Sequence, residues 1–325
     1  MAGNASAALG RFYPDHFTLT GTVTVPCGFA YMSQPAIDIA TGRLEARSLT
    51  GGNPSDTLVT NYRSGYPVSL ATVAFVAADS DGVDRAARFA PAPTTTAWTS
   101  GVYAISGTGL AFARGVAPDG PYDSFNLGLS VTDASDFAAA LGAGPAMTIG
   151  GCTVAGHCTA RALAAGSPIM ARYGRLRMAN AIGSAKLALH MPLEAQYRTT
   201  GGGYATNTID NCTTITQNRI LQGNALKGLP VLTFAGANPI AFANGRATLM
   251  IASPGSPGSR DLTTNLSAAG AASNCIGLAG VTAATGDMAY LRETWCAGTQ
   301  HDPAARAAFD VYPKGDRFIY QRENY

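Results

Sequence analysis

Between Leu187 and Tyr197 the apolar side chains fall on every second residue: Leu187, Leu189, Met191, Leu193, Ala195 and Tyr197. The positions between them carry Ala188, His190, Pro192, Glu194 and Gln196. Successive side chains of a strand point to opposite faces, so the pattern predicts a sheet with one face on a core and one in water. Pro192 falls on the outward face and has no N–H, which predicts an edge strand or a bulge. A second alternating run, Phe17-Thr-Leu-Thr-Gly-Thr-Val-Thr-Val, carries the same signal near the start of the chain.

The rest of the chain supports an all-β reading. Glycine (38) and proline (18) break the sequence every few residues, which suits short strands joined by turns and opposes long helices. Further strands are expected over 27–32, 57–63, 68–77, 101–105 and 125–132, then over 173–180, 186–197, 231–235, 246–252, 306–312 and 316–322. The last two would form a hairpin around Tyr312-Pro-Lys-Gly-Asp. One short helix is expected at Asp133-Ala-Ser-Asp-Phe-Ala-Ala-Ala-Leu-Gly, from its capping start and glycine stop. Stretches 198–211 and 253–280 are rich in glycine and asparagine and read as loops. At 325 residues two domains are the default. Residues 1–10 read as a linker, 11–170 as an N-terminal β domain and 171–325 as a C-terminal one. The expected architecture is two β-sandwich-like domains in series, stabilised by disulfides.

Charged residues make up only 13% of the chain and the formal net charge is +2, too slight a balance to imply nucleic acid. No apolar run approaches the roughly 18 residues that span a bilayer, and Met1-Ala-Gly-Asn-Ala-Ser opens no leader segment. The expectation is therefore an extracellular or cell-surface chain whose leader lies elsewhere, on the strength of its cysteines.

There are six: Cys27, Cys152, Cys158, Cys212, Cys275 and Cys296. Cys152 and Cys158 sit in Gly-Gly-Cys-Thr-Val-Ala-Gly-His-Cys, where glycines let a small loop close as a disulfide. A metal site using both sulfurs and His157 is the alternative, but zinc needs a fourth ligand and no Cys-x-x-Cys spacing supplies one. The other four cysteines allow three connectivities. Nearness along the chain favours Cys275 with Cys296, which would leave Cys27 with Cys212. Disulfides point to an oxidising compartment.

Asp79-Ser-Asp81-Gly-Val-Asp84 is the best ligand-like motif. Three carboxylates around a glycine are how a tight loop offers oxygens to calcium, though aspartate and glycine are also turn formers. Calcium at Asp79, Asp81 and Asp84 is the only cofactor expectation. His16, His157, His190 and His301 are scattered, and no Gly-x-Ser-x-Gly or His-Glu-x-x-His occurs, so no catalytic residues are assigned. Trp98, Trp295, Tyr103, Tyr204 and Tyr290 are candidates for a sugar- or protein-binding surface, with burial in a core as the plainer alternative.

Several blocks carry a family likeness: Arg172-Tyr-Gly-Arg-Leu-Arg-Met-Ala-Asn-Ala-Ile-Gly-Ser-Ala, Leu189-His-Met-Pro-Leu-Glu-Ala-Gln-Tyr, Asn207-Thr-Ile-Asp-Asn-Cys-Thr and Asp316-Arg-Phe-Ile-Tyr-Gln-Arg-Glu. Together with Arg11-Phe-Tyr-Pro-Asp-His-Phe and Cys27-Gly-Phe-Ala-Tyr-Met-Ser-Gln-Pro, they resemble the C-terminal region of the MshQ family of mannose-sensitive haemagglutinin type IV pilus biogenesis proteins. Cys152, Cys158, Cys275 and Cys296 are additional to that family's usual cysteines, and no lectin-like module precedes the region. The resemblance implies a non-enzymatic surface protein of a type IV pilus system, acting in assembly or adhesion. Its expected partners are pilus or surface-assembly proteins, with self-association open. The rival readings are a carbohydrate-binding β-sandwich module and a repeating subunit of a surface fibre.

Overall fold

A computed structural model describes residues 14–50, 53–65, 69–133, 140–143, 145–153, 157–163, 168–267, 273–278, 286–296 and 298–311. Its described residues form strands and the short 3-10 turns Ala86–Arg88, Gln217–Arg219 and Ala289–Leu291, with no α-helix among them. The all-β expectation is met. The chain divides into two compact units, Met1–Arg172 and Tyr173–Tyr325.

In the first unit a nine-stranded sheet is built around His16–Thr24, Ile37–Thr50 and Val102–Phe112. A five-stranded sheet centres on Tyr122–Thr132, which pairs with Thr72–Ala78, Ala160–Ala162 and Ile169–Arg172. The two sheets meet through aromatic rings: Phe112 lies 4.8 Å from Phe125, and Phe89 stacks on Phe125 at 6.0 Å. Phe17, Ile37, Ile39, Leu44, Ile105 and Leu110 complete this core. Burying a side chain of that size contributes about 1.5–3 kcal/mol.

The longest strand, Ile37–Thr50, has no counterpart among the expected strands, and its register explains why. Thr22 pairs with Thr41 while Val23 pairs with Ile39, so Ala40 is an extra residue. This bulge moves the buried positions from Ile37 and Ile39 to Leu44 and Ala46, which breaks the period of two. The expected helix is corrected at its last three residues, Ala140, Leu141 and Gly142. Ala140–Ala143 is a strand running parallel to His16–Thr24, so pairing overrides the local preference of an alanine run. Residues 134–139 lie outside the described residues.

In the second unit, one sheet has the order Gly174–Met178, Leu189–Arg198, Arg246–Ile251, Phe234–Ala235, with Tyr204–Thr206 also joined to Leu189–Arg198. A four-stranded sheet has the order Ala181–Gly183, Ala304–Phe309, Gly258–Thr264, Ile220–Leu226. Leu189, Met191, Leu193 and Ala195 are buried as the alternation predicts, while Leu187 precedes the strand and is 67% exposed.

Pro192 corrects the expected edge position. Leu189–Arg198 is an interior strand, with Arg246–Ile251 on one side and Gly174–Met178 on the other. The Pro192 carbonyl accepts from Ala179 N–H, on the side where Gly174–Met178 has just ended. In an antiparallel ladder a residue's N–H and C=O face the same neighbour, so the missing donor falls beyond the end of that neighbour and removes no ladder bond.

Gly258–Thr264, inside an expected loop, is an interior strand too. Its polar side chains find partners within the fold. Thr263 Oγ1 donates to the Pro303 carbonyl at 2.9 Å, and Arg306 Nε donates to Asp261 at 2.7 Å. The expected strand at 306–312 is observed as Ala304–Phe309. The expected strand at 316–322 and its hairpin lie outside the described residues.

Candidate functional site

The outward face of the strand Leu189–Arg198 was expected to meet water. At its C-terminal end it carries a polar and aromatic cluster instead. Arg175 is the register partner of Gln196, and Tyr204 that of Arg198, which places Arg175, Gln196, Arg198 and Tyr204 on one face. Trp295, from the hairpin Glu293–Cys296 with Thr299–His301, adds a second aromatic ring. The Arg175 guanidinium carbon lies 3.6 Å from the centre of the Tyr204 ring and 4.8 Å from that of Trp295. A planar cation between two ring faces is held by their quadrupoles.

Hydrogen bonds fix the cluster from behind. Arg175 Nε donates to Gln196 Oε1 at 2.9 Å, and Gln196 Nε2 donates to Glu194 Oε2 at 2.7 Å. Tyr204 donates its hydroxyl to Glu293, a carboxylate only 5% exposed that also accepts from Thr294 N–H at 2.8 Å. Burial, reinforced by that carboxylate, pushes the Tyr204 hydroxyl above its ordinary range. Burial also lowers the Arg175 guanidinium, because a cation partly removed from water is disfavoured.

Cys275 and Cys296 are bonded, with a Cα–Cα distance of 5.9 Å, which ties the Trp295 hairpin to the preceding segment. Their sulfurs and His301 lie within 4.8 Å of one another. Disulfide sulfurs are not thiolates, so this trio has no metal-binding charge while the bond stands. His301 Nδ1 lies 2.7 Å from the Thr299 carbonyl. Cys27, Cys158 and Cys212 are disulfide-bonded as well. Cys152 stands directly opposite Cys158 in the antiparallel pair Cys152–Thr153 with His157–Cys158; the side chains of Cys152 and His157 lie outside the described residues.

The aspartate motif forms a turn whose carboxylates are occupied. Asp79 Oδ1 accepts from Ser124 N–H, and Asp84 Oδ1 accepts from Ala77 and Ala86 N–H. Asp81 accepts from Arg85 at 2.5 Å and 2.8 Å, and Arg85 holds its carboxyl down at about 2. The three side chains do not converge into a donor set among the described residues.

The remaining sequence candidates separate. Trp98 is core, packed on Phe17 and Tyr62 with its indole N–H on the Ala71 carbonyl at 3.1 Å, and Tyr103 lies beside it at 5.7 Å. Tyr290 is mostly buried, which raises its hydroxyl to about 12. His16 pairs with Asp15 at 2.8 Å and His190 is exposed. Of the five aromatic candidates, the structure pairs Tyr103 with Trp98 of the core and brings Tyr204 and Trp295 together around Arg175. Arg175 and Arg198 escaped sequence reasoning; the available signal was a polar residue at each outward position beside Gln196.

A second feature lies on the four-stranded sheet. Ile182, Ala308, Ser259 and Leu226 are successive register partners across its four strands. Ile182 and Leu226 are 58% and 51% exposed and flank the small Ala308 and Ser259. The result is a mainly apolar trough of about 330 Å³, with Gly258 and Val311 also in its lining and Lys227 and Arg306 as its two cations.

Family models match both parts of the chain: the third domain of DUF6701 over residues 1–153 and the fourth domain over residues 172–324. No curated protein matches it. Among solved structures the chain is similar to the Yersinia pseudotuberculosis adhesin InvE, at 15% identity over 90% of this chain and 59% of that one, with a TM-score of 0.28. It is also similar to the Escherichia coli adhesin FdeC, at 14% identity over 82% of this chain and 64% of that one, with a TM-score of 0.32. The chain spans about three fifths of the length of these structures. Likenesses of this strength carry no argument about activity.

Proposed function

We propose that this chain, which belongs to the DUF6701 family through that family's third and fourth domains, is a non-enzymatic part of a bacterial surface assembly and acts through contacts with neighbouring proteins. The observation that carries this reading is the trough between Ile182 and Leu226. Ile182 and Leu226 stand exposed on the two outer strands of one sheet face, with the small Ala308 and Ser259 between them, and an apolar depression of this kind is a surface that another protein can cover. Its neighbour is a second protein of the same assembly.

An extracellular place is supported by the disulfide chemistry, since such bonds persist in oxidising compartments. Among the described residues no helix is long and apolar enough to cross a membrane. The resemblance to the MshQ C-terminal region supplies the finer assignment, a type IV pilus of the mannose-sensitive haemagglutinin kind.

The test is a double substitution, Ile182→Asp with Leu226→Asp, in the full chain expressed in its native cell. Both positions face outward, so the near-ultraviolet circular dichroism should match the wild type while the protein disappears from the imaged surface assembly. A folded variant that enters the assembly at wild-type level removes the trough from this role.

A further inference from the structure

Arg175 and Arg198, which share the Tyr204 ring, form no ion pair with a carboxylate among the described residues. Arg175 makes one hydrogen bond, from Nε to Gln196, and its terminal nitrogens have no acceptor there. Arg198, with its guanidinium carbon 6.0 Å from the same Tyr204 ring, makes no side-chain hydrogen bond or ion pair there. Other arginines of this chain are matched: Arg88 with Asp119, Arg292 with Asp302, Arg306 with Asp261.

The nearby acids are already engaged. Glu293 accepts from Tyr204 and Thr294. Glu194 accepts from Gln196 and pairs with Arg177 at 3.4 Å and Arg246 at 3.6 Å. Trp295 contributes its ring to the cluster, 4.8 Å from the Arg175 guanidinium carbon. The cluster therefore combines a partly desolvated fork of donors and a second guanidinium beside Tyr204 and Trp295.

We propose that this cluster is a binding site for an acidic sugar. The planar carboxylate of a uronic or sialic acid matches the guanidinium fork of Arg175, with Arg198 as the second cation. Its hydroxyl groups can accept from the remaining guanidinium N–H groups of Arg175 and Arg198. An acidic peptide is the poorer fit, because two unpaired guanidinium groups cannot match a run of carboxylates. The site stands apart from the trough on the four-stranded sheet, so either proposal can fail alone.

Isothermal titration of the full chain at low salt tests this with galacturonate, glucuronate and N-acetylneuraminate, beside neutral galactose and triglutamate. At least one acidic sugar should bind, at least about tenfold more tightly than galactose. Losing a charge-assisted contact should weaken binding about tenfold in Arg175→Gln and in Arg198→Gln. Arg198 anchors nothing through its side chain, so that variant should keep the wild-type melting temperature and stays informative if the stack around Arg175 is disturbed. No heat with any of the three acidic sugars overturns the proposal, as does binding that Arg198→Gln leaves unchanged. Equal affinity for galactose refutes carboxylate recognition, and preference for triglutamate makes this an acidic-peptide site instead.

Discussion

Asp302 is fully buried and accepts Arg292 Nε at 2.7 Å and Nη2 at 3.3 Å, a fork of donors facing a single carboxylate. The same carboxylate accepts from Leu266 N–H at 3.1 Å and Ser273 N–H at 2.9 Å. A buried carboxylate in a cleft would suggest proton-transfer chemistry. This one has its oxygens occupied by chain segments that are distant in sequence, so its work is to join them. Removing one partner of such a pair leaves a charge uncompensated in the interior. Asp302→Ala should therefore lower stability by about 3–5 kcal/mol, as measured by urea unfolding. A loss below about 1 kcal/mol would show that solvent reaches the Arg292 guanidinium.

Tyr62 packs against both Phe17 and Trp98, and its hydroxyl accepts from Ala71 N–H at 2.6 Å. Burial raises this hydroxyl from 10.0 to about 12, outweighing the opposing hydrogen bond. A raised folded-state value means that the folded protein holds the proton more tightly than the unfolded chain. The associated stability is complete below pH 10 and is lost as pH rises toward 12. Urea midpoints should fall across that window, and less steeply in Tyr62→Phe. That variant should also lose about 1–3 kcal/mol at neutral pH by leaving a buried N–H unpaired.

Where the chain was legible, a single physical requirement set the pattern. Leu189, Met191, Leu193 and Ala195 alternate because one face of their strand is buried from Leu189 to Ala195. Ile37–Thr50 was illegible because the bulge at Ala40 shifts the buried set by one position. Gly258–Thr264 was illegible because Asp261 and Thr263 are buried through an ion pair and a hydrogen bond to distant residues, which no local pattern announces. The candidate site was half legible. Tyr204 and Trp295 stood out as aromatic residues, but the pairing that brings Arg175 beside them depends on register between strands.

Gly21 and Gly42 face each other beside the bulge. A Cβ on Gly42 would lie 2.3 Å from Ile105 Cγ2 and 3.0 Å from Leu163 Cδ2. Ile105 and Leu163 are themselves buried and have little room to retreat. Gly42→Ala should therefore destabilise the first unit by about 1–3 kcal/mol. Thermal melts of the full chain would record it, and an unchanged midpoint would mean that the core around Ile105 is slack.

The cysteine pairing is open to direct chemistry. Peptide mapping without reduction should recover Cys275–Cys296, the small loop Cys152–Cys158, and Cys27 linked to Cys212. Cys275 and Cys296 are 21 residues apart, a loop whose closure stabilises by about 3 kcal/mol in the chain-entropy description. Replacing both with serine should lower stability by up to that amount and loosen the hairpin carrying Trp295. Recovery of free thiols in freshly isolated protein would count against an oxidising compartment.

The turn at Asp79, Asp81 and Asp84 separates a metal role from a structural one. Arg85 holds the Asp81 carboxyl at about 2, and Val83 N–H adds to the effect. A depressed value means that the pair's stabilisation is present above the ordinary carboxylate range and is lost as pH falls toward 2. The Asp81 side chain is 44% exposed, so the pair is worth at most about 1 kcal/mol. Calcium would have to displace Arg85 and draw the Asp79 and Asp84 carboxylates away from backbone donors. Melting curves with calcium and with chelator should therefore coincide, and Asp81→Ala should lower both by the same small amount. A calcium-dependent rise in melting temperature that Asp81→Ala abolishes would instead assign these carboxylates to the ion.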